Sequence, residues 1–131
     1  MRLPWKRNEE EQSGEVAGGR PARITNVADE KELSAVLDAS FKEPAVLFLH
    51  DPWCPISGRA SHEIERVDAD VHLIDVSSSR ELSKAVEEAT GVRHESPQVF
   101  VLSGGRVAWH ASHMSVRAGA VQGALEAAAA G

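Results

Sequence analysis

The most apolar stretch of the chain is Ala45-Val46-Leu47-Phe48-Leu49, and its continuity predicts a strand buried on both faces. Val71 to Val76 predicts a second buried strand. Arg23 to Val27 is a short strand candidate ahead of both. Between the first two, Leu33, Val36, Leu37 and Phe41 recur at helical spacing. Asp29 stands as an N-cap with Glu32 three residues later, in a capping-box arrangement, and Pro44 closes the segment. Ile56, Ala60, Ile64 and Val67 form a second helical stripe. The Ser77-Ser78-Ser79 turn caps a third helix with Leu82, Ala85, Val86 and Ala89 inward and Gly91 as its stop. Gln98 to Leu102 and Arg106 to Ala111 read as strands joined by Ser103-Gly104-Gly105. The Gly pair suits a hairpin because glycine accepts positive φ freely. Val116, Ala120, Val121, Ala124, Leu125 and Ala128 mark the last helix. The predicted order is β-α-β-α-β-α-β-β-α, without repeats.

The second and third helices are crossovers long enough for parallel strand connections, and the last two strands form an antiparallel hairpin. The result is an α/β fold with a mixed central sheet flanked by helices, the thioredoxin-like architecture. Residues 1–21 are polar, Gly-bearing and without period. They are expected to form a mobile tail, with the thioredoxin-like domain spanning 22–131.

At 131 residues the chain has room for one core. A net charge of −6 with acid and base interspersed excludes a nucleic-acid footprint. No apolar run approaches the ~18 residues that span a bilayer. The basic start (Met1 to Arg7) runs into Glu9-Glu10-Glu11 instead of an apolar segment, so it is no secretory signal. One cysteine builds no disulfide framework, and the six histidines show no zinc spacing. The protein is therefore expected to be a cytoplasmic monomer with no bound cofactor, no metal, and no nucleic-acid or membrane partner.

That one cysteine, Cys54, lies where the buried strand gives way to a helix beginning at Pro55. The thiolate is the nucleophile in disulfide exchange, so a catalytic site must favour the anion. Proline is tolerated at the first helical position, since its missing N–H would be an orphan there. The amides of Ile56 and Ser57, with the Ser57 hydroxyl, are then the donors expected to stabilise the thiolate. The helix dipole supplies only about 0.3–1 kcal/mol, so direct hydrogen bonds must add to it. Trp53 and Pro52 are expected to keep one side of the thiol apolar and to shape access. Ser57 stands where a C-x-x-C motif has its second thiol. With no other cysteine in the chain, the oxidised product must be a mixed disulfide with another molecule, or a sulfenic acid.

Ser96-Pro97 precedes an apolar strand. In a thioredoxin-like fold this is where a cis proline lies beside the catalytic sulfur and the preceding residue offers its backbone to an extended substrate. A hairpin centred on Gly104-Gly105 pairs Pro97 near Ser112, which returns Ser112, His113 and Met114 to the active-site end. Arg93 and His94 lie just before Ser96. With His113 and Arg59 they are expected to form a modestly basic rim suited to an anionic substrate group. Ser96, Pro97, Arg93, His94, His113 and Trp53 are the candidate substrate-binding residues.

Cys54-Pro55-Ile56-Ser57, Gly91-Val92-Arg93-His94-Glu95-Ser96-Pro97-Gln98 and Val107-Ala108-Trp109-His110-Ala111-Ser112-His113 together resemble the YtxJ-type monothiol bacilliredoxins of the bacterial bacillithiol system. The resemblance runs over about residues 24 to 127. Trp53 and the first 21 residues depart from the family's pattern. It implies a monothiol thiol-disulfide oxidoreductase that removes bacillithiol from mixed disulfides on client proteins. Cys54 would be the nucleophile, bacillithiol the small-molecule co-substrate, and S-bacillithiolated proteins the partners. Bacillithiol carries a malate, whose carboxylates would meet the basic rim. Two other classes remain open on the residues alone. One is an iron–sulfur carrier bridging two protomers through Cys54 and an external thiol. The other is a redox-responsive binding module with a regulatory thiol.

Overall fold

The computed structural model describes residues 20–131. The segment expected as a tail falls outside them except for Arg20 and Pro21. Five strands form one sheet: β1 (Arg23–Asn26), β2 (Ala45–His50), β3 (Asp70–Asp75), β4 (Gln98–Ser103) and β5 (Arg106–Ser112). Among the described residues four helices accompany them: α1 (Glu30–Ala39), α2 (Pro55–Ile64), α3 (Arg80–Thr90) and α4 (Ala118–Ala130). A single 3₁₀ turn, His113–Ser115, links β5 to α4. The strand order is β1-β3-β2-β4-β5, with β1 and β2 parallel to β3, and β4 antiparallel to both β2 and β5.

The helices start and stop where their local chemistry dictates. Asp29 Oδ1 accepts from Glu32 N–H at 2.8 Å while Glu32 Oε1 accepts from Ala28 N–H at 2.6 Å, a complete capping box. Ser79 Oγ accepts from Leu82 N–H at 3.1 Å, and Gly91 ends α3 in the left-handed conformation at φ 72°. Gly104 and Gly105 take φ 63° and 77° in the β4–β5 turn.

Central β2 is covered on both faces, as its continuous apolar sequence demands. Leu47 and Leu49 pack with Leu33, Val36, Leu82 and Val86 beneath α1 and α3. Val46 and Phe48 pack with Ala60, Ile64 and Val121 beneath α2 and α4. Each such fully buried side chain contributes about 1.5–3 kcal/mol relative to exposure.

Four details differ from the sequence-based expectation. The α3 connection does not lead to a parallel strand: β3 is parallel to β2, whereas β4, which follows α3, is antiparallel to it. Phe41 lies beyond α1 and is 69% exposed. Its ring instead covers Gly105, where a Cβ would come within 2.6 Å of it. Val67 lies past the end of α2, yet is fully buried. The hairpin register slips between Val101 and Leu102, so Gln98, not Pro97, faces Ser112. The slip places one extra residue, Ala108, in β5, because Val107 pairs with Leu102 while Trp109 pairs with Val101. As a result Val107 packs on the α1/α3 face whereas Trp109 and Ala111 pack on the α2/α4 face.

Candidate active site at the end of the central strand

Strand β2 delivers the chain to the carboxyl end of the parallel strands, and Asp51 shapes the turn beyond it. Its carbonyl accepts from Cys54 N–H at 3.0 Å, and its Oδ1 accepts from Trp53 N–H at 3.0 Å. Its own N–H donates to Ser57 Oγ at 3.2 Å. These bonds fold residues 51–54 tightly and set Cys54 at the N-cap of α2, with φ −107° and ψ 122°. The first intrahelical bond is Gly58 N–H to Cys54 C=O at 3.1 Å. Pro55 has no N–H, so the first-turn donors facing the cap are the amides of Ile56 and Ser57. The Cys54 side chain makes no capping hydrogen bond, and the residue is half-buried. Ser57 is fully buried, with its hydroxyl holding the Asp51 amide. Trp53 is 84% exposed and Ile56 42% exposed, so large apolar groups flank the thiol on the surface.

Beside this turn lies the 93–97 loop. The Ser96–Pro97 peptide is cis, and Pro97 is buried. Leu49 pairs with Gln98, so the proline enters β4 level with the end of β2. Its carbonyl accepts from His113 N–H at 2.9 Å. The slipped hairpin therefore still brings His113 to the proline, one position further along than the symmetric turn implies. His113 sits at φ 53°, and its Nδ1 lies 3.4 Å from Glu95 Oε1. Met114 comes next, with its sulfur 3.2 Å from Arg59 Nη1. The structure thus brings together Cys54, Trp53, Ile56 and Ser57 on one turn, Arg93, His94, Ser96 and Pro97 on the neighbouring loop, and His113 at the start of the 3₁₀ turn after β5.

Three residues outside the sequence-derived set hold this end in shape. Gln98 is only 2% exposed; its Oε1 accepts from Glu95 N–H at 3.1 Å and its Nε2 donates to Arg93 C=O at 3.1 Å. A polar side chain at the first position of an otherwise apolar strand was the available signal. Glu87 Oε2, reaching from α3, accepts from His94 N–H at 2.5 Å. Asp51 was visible as an Asx-turn residue before Trp53. Glu95 also changes the rim, because the expected rim residue His113 already has a carboxylate beside it. Arg93 is exposed at the loop edge.

Among the described residues, the buried side-chain atoms without a hydrogen-bond partner are His50 Nδ1, His94 Nδ1 and Ser96 Oγ. All three belong to this end of the sheet. His50, the last residue of β2, stacks on Phe48 with ring centroids 5.6 Å apart, and so lies on the face covered by α2. Native proteins rarely leave such atoms unpaired without a reason, and substrate contact is one.

The resolved pKa shifts lie elsewhere. The hydrogen bond from Arg23 holds the Asp68 carboxyl below its ordinary range, and the same contact raises Arg23. Burial pushes His72 down, partly opposed by Asp70. These groups sit at the amino ends of β1 and β3, beside a cavity of about 620 Å³ lined in part by Lys42, Pro44, Gln122 and Leu125. No thiol lines that cavity.

Comparison with known proteins agrees with this geometry. The family model described as "Monothiol bacilliredoxin BrxC" matches residues 25–121. Among solved structures, a protein with a thioredoxin fold is 24% identical, with TM-score 0.72, over 77% of this chain and 92% of the other. A thioredoxin variant from Halobacterium salinarum is 21% identical with TM-score 0.64, over 82% and 91%. Thioredoxin from Trypanosoma brucei brucei is 12% identical with TM-score 0.65, over 86% and 96%. At these identities the structures speak for the fold, while the family match spans most of the chain. The chain belongs to the monothiol bacilliredoxin family, thiol-disulfide oxidoreductases built on a thioredoxin-like fold.

Proposed function

We propose that this protein removes bacillithiol from mixed disulfides on client proteins, with Cys54 as the nucleophile. The observation that carries the reading is the placement of the only thiol in the sequence: half-buried, at a helix N-cap, at the same end of the sheet as a cis Ser96–Pro97 peptide. With no second cysteine, exchange is intermolecular in both half-reactions.

In the first half-reaction the Cys54 thiolate attacks the bacillithiol sulfur of the client's mixed disulfide. The new S–S bond forms as the old one breaks, and the client leaves as a thiolate that takes a proton from water. In the second, a free bacillithiol thiolate attacks the mixed disulfide on Cys54. Oxidised bacillithiol disulfide departs, and the Cys54 thiolate is restored. The Ile56 and Ser57 amides favour the anion, since an anionic acceptor is stabilised at a helix N-terminus. Pro97 and the Ser96 backbone take an extended client segment, and Trp53 packs over it. Arg93, His94 and His113 face the malate carboxylates of bacillithiol, with the Glu95 carboxylate moderating His113. The small thiol is a co-substrate, and the protein acts as a monomer in a reducing cytoplasm.

The test is release of bacillithiol from a purified bacillithiolated protein. Cys54→Ala is expected to reduce release to the uncatalysed background while leaving the fold intact by circular dichroism. Release at the wild-type rate by that variant would refute the reading.

A further inference from the structure

We propose that Arg59 is a specificity-determining residue that binds a carboxylate on the small-thiol half of the mixed disulfide. The inference rests on exchange at Cys54 as proposed above and adds the group that reads the small thiol.

Ile56, Arg59 and Glu63 fall at i, i+3 and i+7 on α2, one stripe along its flank. Residues 113–118 run against that flank. Arg59 Nη1 donates to Met114 Sδ at 3.2 Å, and Glu63 Oε1 accepts from Ala118 N–H at 2.9 Å. Met114 directly follows His113, whose N–H is bonded to Pro97 C=O. The Arg59 guanidinium therefore lies between the first turns of the Cys54 helix and the cis-proline corner.

The acids around it are engaged elsewhere. Glu63 Oε1 holds the start of α4 while Oε2 lies 3.8 Å from Arg66. Glu95 lies against His113, and Asp51 Oδ1 accepts from Trp53 N–H. Among the described residues Arg59 has no carboxylate within ion-pair distance, and its one side-chain partner is a thioether. A thioether is a weak acceptor, whereas a carboxylate meets the guanidinium fork with two charge-assisted bonds. The Met114 contact keeps Arg59 ordered without neutralising it, and an arriving carboxylate displaces the sulfur. The client chain runs along the Ser96–Pro97 backbone, and Arg59, on the α2 flank, adds a guanidinium to the Arg93, His94 and His113 rim proposed to face the small thiol.

The experiment measures single-turnover release of a peptide thiol from two disulfides, one with mercaptosuccinate and one with neutral mercaptoethanol as the small half. Each is prepared on a neutral peptide and on a peptide with an aspartate beside its cysteine. Wild-type protein is expected to favour the mercaptosuccinate disulfide. Arg59→Gln is expected to cut the mercaptosuccinate-to-mercaptoethanol rate ratio about five-fold, the scale of one exposed charge pair. Arg59→Lys should recover part of the ratio, and Met114→Leu should retain it. An unchanged ratio in Arg59→Gln, an equal fall in Met114→Leu, or a preference that follows the peptide aspartate would overturn the assignment. Failure of the wild-type protein to release peptide from any of the disulfides would instead bring down exchange at Cys54 itself.

Discussion

At the amino end of the parallel strands, Arg23 donates to Asp68 at 2.7 Å and to Asp70 at 3.3 Å, and Asp68 N–H is bonded to Gln122. At the carboxyl end, among the described residues, His50, His94 and Ser96 keep buried polar atoms without partners, and Arg59 meets only a thioether. The first end has a cavity of about 620 Å³, and its opposite charges answer one another. The second has the thiol and the unanswered groups. The cavity of the first end holds no thiol. Unsatisfied hydrogen-bonding capacity, together with a nucleophile at a helix N-cap, points to the other.

Substitutions at the two ends should separate accordingly. The largest effect belongs to Cys54→Ala, which should abolish exchange. The next belongs to Gln98→Leu. It keeps the volume but releases Arg93 C=O and Glu95 N–H, and should cost about 1–2 kcal/mol in chemical denaturation. Exchange with bacillithiolated client should fall several-fold as the 93–97 loop loosens. An unaltered exchange rate in a destabilised Gln98→Leu protein would separate loop order from catalysis.

Smaller effects are expected at the opposite end, on stability and not on exchange. Burial lowers the His72 pKa in the folded chain, so the unfolded chain binds the proton more readily. Stability is then highest above the unfolded value of about 6.5 and falls as pH drops through it toward the lower folded value. His72→Gln should flatten that part of the stability–pH curve, read by thermal melts between pH 5 and pH 8. An unchanged slope would show that His72 is not the titrating group. The smallest effect should be that of Arg23→Ala. Its ion pairs are exposed, so the small loss of Tm should shrink further with added salt. The depressed Asp68 carboxyl adds stability above its unfolded pKa, which is lost only as pH falls through the folded value.

What was readable from sequence was local. The Asp29/Glu32 box, the Ser79 cap, the Gly91 stop and the Gly104-Gly105 turn each rest on residues a few positions apart, and each formed as expected. The continuous run Ala45 to Leu49 announced a strand covered on both sides, and it is fully covered. The position of Cys54 and Pro55 at a helix start came from the change of period at that point. What could not be read depended on long-range fitting. The extra residue in β5 lets Val107 and Trp109 serve opposite faces, a packing demand that no local motif encodes. Phe41 looked like a helix-stripe residue but covers the bare backbone of Gly105, 64 positions away. Likewise, the basic rim was assembled from residue types alone. Only the geometry shows Glu95 against His113 and leaves Arg59 without an acid.

The central claim is that Cys54 accepts bacillithiol from a client. It is tested most directly by intact mass spectrometry of both proteins after one round of mixing. Bacillithiolated client is combined with this protein in the absence of free bacillithiol. The account predicts that the client loses the mass of one bacillithiol and that the same mass appears on Cys54, with no transfer to Cys54→Ala. A client that keeps its adduct, or one stripped equally by Cys54→Ala, would contradict it.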